Sequence, residues 1–194
     1  MKKLARQDLY TLETYARMRA EFRALVMAHK KNRRVAIGPH ATLYFEDTLT
    51  IQYQVQEMLR TERIFEEAGI QEELEAYNPL IPDGSNFKAT FMIEYEDVDE
   101  RQQALARLVD IEDRVWVRAE GFDPVWSVAD EDLERETADK TAAVHFLRFE
   151  LDPAMTAAIK GGAGIGMGID HAAYRYRVDV VSDAVRRSLT ADLQ

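Results

Sequence analysis

Phe87-Lys88-Ala89-Thr90-Phe91-Met92-Ile93-Glu94-Tyr95 is the stretch that decides the fold class. Phe87, Ala89, Phe91, Ile93 and Tyr95 fall on one side of an extended chain, and Lys88, Thr90, Met92 and Glu94 on the other. A period of two is that of a strand with one face in a core. C-terminal to it the strand signal recurs. Val115–Ala119 and Val125–Ala129 flank the turn Gly121-Phe122-Asp123-Pro124 as a hairpin, and Ala143–Leu151, Ile165–Ile169 and Tyr174–Val180 are further strands. Asp97 to Glu100 reads as a capping box for a helix through Leu105 and Leu108, Asp152–Lys160 as a compact helix with proline at its start, and Ser182–Leu193 as a closing helix. Asp130–Lys140 is mostly charged and reads as a solvated loop or short helix.

On the N-terminal side the period changes. Leu12, Tyr15, Met18, Phe22, Leu25 and Val26 recur at three- and four-residue steps, which predicts one long helix from an Asp8 cap to Lys30. Val35, Ile37, Leu43 and Phe45 make a hairpin around Gly38-Pro39-His40. A second long helix is expected over Leu49–Ala68, with Ile51, Val55, Met58, Leu59 and Phe65 inward and Gly69 ending it; a short acidic helix near Gln71–Tyr77 follows. Helices and strands do not alternate regularly. The expected class is α+β: a largely antiparallel sheet packed with two long N-terminal helices and shorter ones, in a single domain over residues 1–194.

The 194 residues carry a net charge of −10, unevenly placed. Residues 1–34 form a basic arm, with ten basic and three acidic side chains; residues 35–194 form an acidic body, with 15 and 32. An acidic body argues against nucleic acid as a partner, because phosphate affinity needs a cationic surface. It suits docking of the arm on the chain's own body, on an anionic partner such as an acidic protein, or on the acidic body of a second copy, as a homodimer. Cysteine is absent, which excludes thiolate catalysis and thiolate metal ligation. No signal peptide and no bilayer-spanning run are visible, so the expected location is the cytoplasm, away from membranes. The P-loop, the H-E-x-x-H helix, the EF-hand loop, the G-x-S-x-G elbow and E-x-x-H are all missing.

Three constellations remain. The first is ionisable residues on apolar faces: His29 on the first helix, Glu62 at the centre of the stripe on the second, and His145 beside Leu147, Phe149 and Leu151 on a strand. Together they would make a two-imidazole, one-carboxylate site for a divalent metal such as Fe or Zn. Separately, Glu62 pairs with Arg19 or Arg63, His29 caps its helix, and His145 is a core histidine with one hydrogen bond. The second constellation is Gly162, Gly164, Gly166 and Gly168, whose spacing within Gly161–Ile169 bares one face of a strand to a flat ligand, or to close packing by Trp116 or Trp126. The third is the basic run Lys30, Lys31, Arg33 and Arg34, which is either a partner-docking patch or helix-end electrostatics.

Four stretches are distinctive together: His29-Lys30-Lys31-Asn32-Arg33-Arg34-Val35, Ile51-Gln52-Tyr53-Gln54-Val55-Gln56-Glu57-Met58-Leu59-Arg60, Ala76-Tyr77-Asn78-Pro79-Leu80-Ile81-Pro82 and Ala143-Val144-His145-Phe146-Leu147-Arg148-Phe149. They resemble, over essentially the whole chain, a bacterial family known as a domain of unknown function. The family brings no catalytic residues with it. Its members are often encoded near a rubrerythrin-like protein and an iron–sulfur oxidoreductase, so the resemblance implies a role in redox or oxidative-stress physiology. The missing catalytic motifs and the split charge then favour a non-enzymatic accessory protein that docks redox partners through its basic arm and acidic body. The alternative is a metal- or ligand-dependent enzyme built on His29, Glu62 and His145.

Overall fold

The computed structural model describes residues 2–131, 135, 137 and 139–194. The Asp130–Lys140 expectation therefore lies in part outside the described residues. In chain order the elements are α1 (Leu12–Lys30), β1 (Arg34–Ala36), β2 (Ala41–Phe45), α2 (Thr48–Thr61), α3 (Glu67–Tyr77), β3 (Asn86–Ile93), α4 (Val98–Arg107), β4 (Val115–Ala119), β5 (Val125–Trp126), β6 (Val128–Ala129), β7 (Val144–Glu150), α5 (Pro153–Lys160), β8 (Ile165–His171), β9 (Tyr174–Val178) and α6 (Asp183–Thr190). The class is α+β, with two antiparallel sheets of order β1-β2-β3-β7-β6 and β5-β4-β8-β9.

The alternating stretch is the middle strand of the first sheet. Its register stacks Leu43, Phe91 and His145 across three strands, and likewise Phe45, Ala89 and Leu147. All of these side chains but His145 belong to one buried hydrophobic cluster that also takes Val115, Val117, Ile165 and Met167 from the second sheet and Ile159 and Leu189 from α5 and α6. Two faces that bury aliphatic and aromatic side chains against each other supply the main stabilisation of such a fold. A second cluster joins Leu4 and Leu9 to Ile51, Val55 and Leu59 of α2 and Ile70 and Leu74 of α3.

The expected hairpin at 115–129 divides between the sheets. β5 pairs with β4, and two residues later β6 pairs with β7 of the other sheet. Ser127 is the pivot. Its N–H donates to Val115 O at 2.9 Å, and its hydroxyl donates to Glu112 O and to Val115 O. This crossover brings the segment after β6 against the turn before β4. At the far edge the Tyr174 hydroxyl donates to Ile37 O at 2.8 Å and accepts from His40 N–H at 2.9 Å, joining β9 to the β1–β2 turn.

The helices differ from expectation at their ends. Thr11, not Asp8, caps α1, accepting from Thr14 N–H at 3.3 Å, while Asp8 closes a preceding 3-10 turn. On α1 only Tyr15 and Val26 are buried, and Leu25 and Met18 are exposed. The long second helix is two helices. Asp47 and Thr50 form a reciprocal capping box at the start of α2, with both bonds at 2.9 Å, and α2 stops at Thr61. Arg63 then adopts φ 57°, a left-handed conformation that no helix continues through, and Phe65 is left 71% exposed. Gly69 lies inside α3 rather than ending a helix.

Candidate functional site

The crossover at Ser127 gathers four polar side chains in the seam between the sheets. His145 is fully buried on the inner face of β7, opposite Phe91. Glu112, in a 3-10 turn before β4, and Thr141, just before β7, are also buried. Asp130 follows β6 and holds φ 47°. Asp and Asn tolerate this conformation best after glycine, and such backbone is retained where side-chain bonds over-determine it. Here Asp130 Oδ2 lies 2.6 Å from His145 Nδ1, and Oδ1 accepts from Phe146 N–H at 3.0 Å and from Arg135 Nη1 at 3.1 Å.

On the other side of the ring, His145 Nε2 faces three oxygens: Thr141 Oγ1 at 2.9 Å, Ala142 O at 3.1 Å and Glu112 Oε2 at 3.7 Å. The Thr141 hydroxyl donates to Glu112 Oε2 at 3.1 Å. Hydrogen bonds between these groups complete one another, and among the described residues no buried side-chain polar atom lacks a partner. The same spacing has a second chemical meaning. Ligand atoms each about 2.1 Å from one cation lie roughly 3 to 3.7 Å from each other. Glu112, Asp130 and His145 each offer a ligand atom, all within 4.8 Å of one another. Asp130, bonded to Nδ1, holds the ring so that Nε2 points at the oxygens; a carboxylate behind the imidazole is the usual orienting group of a metal-bound histidine.

The expected triad of His29, Glu62 and His145 is not gathered in one place. Glu62 caps the C-terminal end of α2 and is exposed, because the helix ends before the stripe can carry it inward. His29 Nε2 lies 2.5 Å from Asp47 Oδ2, the cap of α2, instead of capping its own helix. Arg19, one expected partner of Glu62, is bound to Glu57 at 2.7 and 2.8 Å. His145 alone stands in a cluster with metal-binding geometry. It makes more than the single hydrogen bond of an ordinary core histidine.

The basic run needs a correction. Arg33 is 2% exposed and cannot dock a partner. Its guanidinium donates to Phe45 O and Glu46 O, both at 3.0 Å, to Ser188 O at 3.1 Å and to Asp192 Oδ2 at 2.5 Å. It ties the end of α1 to β2, to α6 and to the segment after it. Burial pushes the Asp192 carboxyl up to about 6, against the pull of Arg33. Burial also raises Asp47, but Arg33, the Thr50 N–H and His29 outweigh it and hold that carboxyl below its usual range. Lys30 lies over the Tyr53 ring and Arg34 over the Tyr44 ring, while Lys31 is exposed.

At Gly164, Gly166 and Gly168 the bared face is occupied by the protein's own atoms, while Gly162 has none within 4 Å. A Cβ on Gly168 would stand 2.5 Å from the Trp116 ring, and one on Gly166 2.5 Å from Asp179 O. Gly164 packs at Val180 and Glu120, and Gly162 takes φ 104° in the turn after α5. Trp116 covers the bared face at Gly168.

Glu112, Asp130 and Thr141 escaped the sequence reading. His145 carried the signal, a histidine in phase with Leu147 and Phe149, but its partners come from segments that only the crossover brings near. Among the described residues no helix is long and apolar enough to cross a membrane.

The chain belongs to the family described as "Protein of unknown function (DUF3501)", which matches residues 3–193. It is similar to a solved protein of unknown function from Burkholderia pseudomallei, with 55% sequence identity, a TM-score of 0.95 and 100% of each chain covered. No curated protein matches it.

Proposed function

We propose that this protein binds one divalent first-row metal ion at His145 Nε2, Glu112 Oε2 and Thr141 Oγ1, with Asp130 orienting the ring, and that it serves as a metal-bearing accessory protein. One observation carries the reading: atoms of a nitrogen–oxygen donor set stand 2.9 to 3.7 Å apart around His145 Nε2 in a buried seam. Imidazole with carboxylate and hydroxyl suits Fe(II) or Zn(II), and the chain has no thiolate to offer a softer ion. The resemblance to a family encoded beside rubrerythrin-like and iron–sulfur proteins makes iron the first ion to test. An ion here displaces the Thr141–His145 hydrogen bond and takes the charge of Glu112 in its place. Lys30, Lys31 and Arg34 remain the candidate contacts for a redox partner, without Arg33.

The test is metal content of full-length protein expressed in iron- and zinc-replete medium and purified without chelator. Roughly one equivalent is expected. Glu112→Gln and Thr141→Val, which keep size and packing, are expected to weaken Co(II) binding, followed by its visible absorption, by about tenfold or more. Wild-type protein that carries no metal and gives no Co(II) spectrum would leave these side chains as a structural hydrogen-bond network.

A further inference from the structure

On the opposite face of the same strand lies a cavity of about 480 Å³. Its apolar wall comes from Met58 of α2, Tyr77 of α3, Leu80, and Phe146 of β7. Lys88 of β3, Arg148 of β7 and Glu131 form the polar side, and Lys88 and Arg148 are direct cross-strand neighbours. Like charges facing each other across a ladder repel unless anions offset them. Arg148 has its anions: Glu131 grips it at 2.8 and 2.9 Å, and Glu150 at 2.6 Å. Lys88 has none at contact distance among the described residues. Its ammonium donates to the carbonyl of Pro79 at 2.5 Å, while Asp83, Glu131 and Glu150 act on it only from further away. Burial first, and then the Arg148 charge, hold the Lys88 ammonium below the usual lysine range, against the pull of Asp83, Glu131 and Glu150.

A half-buried cation without its own carboxylate, at the edge of an apolar chamber, is half of a recognition site. We infer that this cavity binds a small monocarboxylate with an apolar body, its carboxylate on Lys88 Nζ and its chain among Met58, Leu80 and Phe146. The volume is that of a site for a small organic molecule. The single unmatched cation favours one negative charge over a phosphate, which needs several donors. The acidic Glu73 also lines the cavity, and burial, then Glu62 and Glu72, raise its carboxyl above the usual range. This site is independent of the proposed metal centre and its test requires no metal.

The experiment is titration of the full chain with decanoate and with 1-decanol, its uncharged counterpart, read by calorimetry and by amide chemical shifts. Decanoate is expected to bind with a dissociation constant on the order of 10 to 100 μM, as the efficiency of small ligands allows, and to shift the amides of Lys88, Phe146 and Leu147. Lys88→Met, which keeps the apolar stem, is expected to weaken decanoate about tenfold or more while changing decanol by less than about threefold. Ala76→Phe, at an exposed α3 position on the cavity wall, fills the chamber without touching the core and is expected to abolish both. Failure of decanoate to bind at millimolar concentration, shifts elsewhere on the protein, or equal affinity for wild type and Lys88→Met would each overturn the assignment.

Discussion

Asp130 Oδ2 lies 2.6 Å from His145 Nδ1, and Asp130 reaches it from a left-handed backbone at φ 47°. The same carboxylate holds Phe146 N–H and Arg135, so one residue fastens the segment after β6 to β7 at two points and ties that segment to Arg135 by a third bond. Asn keeps the shape and tolerates the backbone but loses the charge; Ala loses every bond and suits the backbone poorly. Asp130→Ala is expected to destabilise the fold by about 3 kcal/mol and Asp130→Asn by about 1 to 2 kcal/mol. Urea unfolding curves check this, and equal effects of the two would show that the side-chain bonds do not decide the site.

Arg33 and Asp192 are each 2% exposed and joined at 2.5 Å. Removing one partner of a buried pair strands the other. Arg33→Ala or Asp192→Ala is expected to cost about 3 to 5 kcal/mol, and the double variant less than the sum of the two. Additive effects in a double-mutant cycle would contradict a direct pairing.

Asp192 also gives the protein a pH dependence of a definite sign. An aspartate in the unfolded chain titrates near 3.8, and burial places Asp192 at about 6 in the fold. Between those values the native state holds a proton that the unfolded chain has lost. This group's contribution therefore favours folding below about pH 4 and is lost as pH rises through about 6, a swing on the order of 2 to 3 kcal/mol. The wild-type stability minus that of Asp192→Asn, measured from pH 4 to 7, is expected to fall with rising pH across that window. A difference that rises or stays flat would show that Arg33 dominates the carboxyl instead.

Gly166 and Gly168 separate two kinds of crowding. A Cβ at Gly168 meets the Trp116 ring, which can rotate; one at Gly166 meets the backbone carbonyl of Asp179, which cannot easily yield. Both alanine substitutions are expected to destabilise, by about 1 to 3 kcal/mol, with Gly166→Ala the worse of the two. Only Gly168→Ala is expected to shift the Trp116 fluorescence.

These residues also mark how far the sequence could be read. Phe87–Tyr95 declared its strand and its buried face because alternation is local, and the Asp97, Asp152 and Ser182 caps stand where their helices begin. The stripe through Glu62 misled for a physical reason: hydrophobic spacing continues past Thr61, but the left-handed turn at Arg63 ends the helix first. Arg33 looked like a surface cation because its partners, Asp192 above all, lie at the other end of the chain. The site around His145 depends on the switch of sheets at Ser127, which no periodicity within 125–129 records. The notion of two facing sheets was likewise hidden, since alternation names a buried face without naming what covers it.

The most direct test of the proposed metal centre is an anomalous difference map from crystals of the full-length protein, collected at the iron and zinc edges. One peak is expected within about 2.3 Å of both His145 Nε2 and Glu112 Oε2, with Asp130 still on Nδ1. A map without that peak, in which the Thr141 hydroxyl remains bonded to the imidazole, would contradict it.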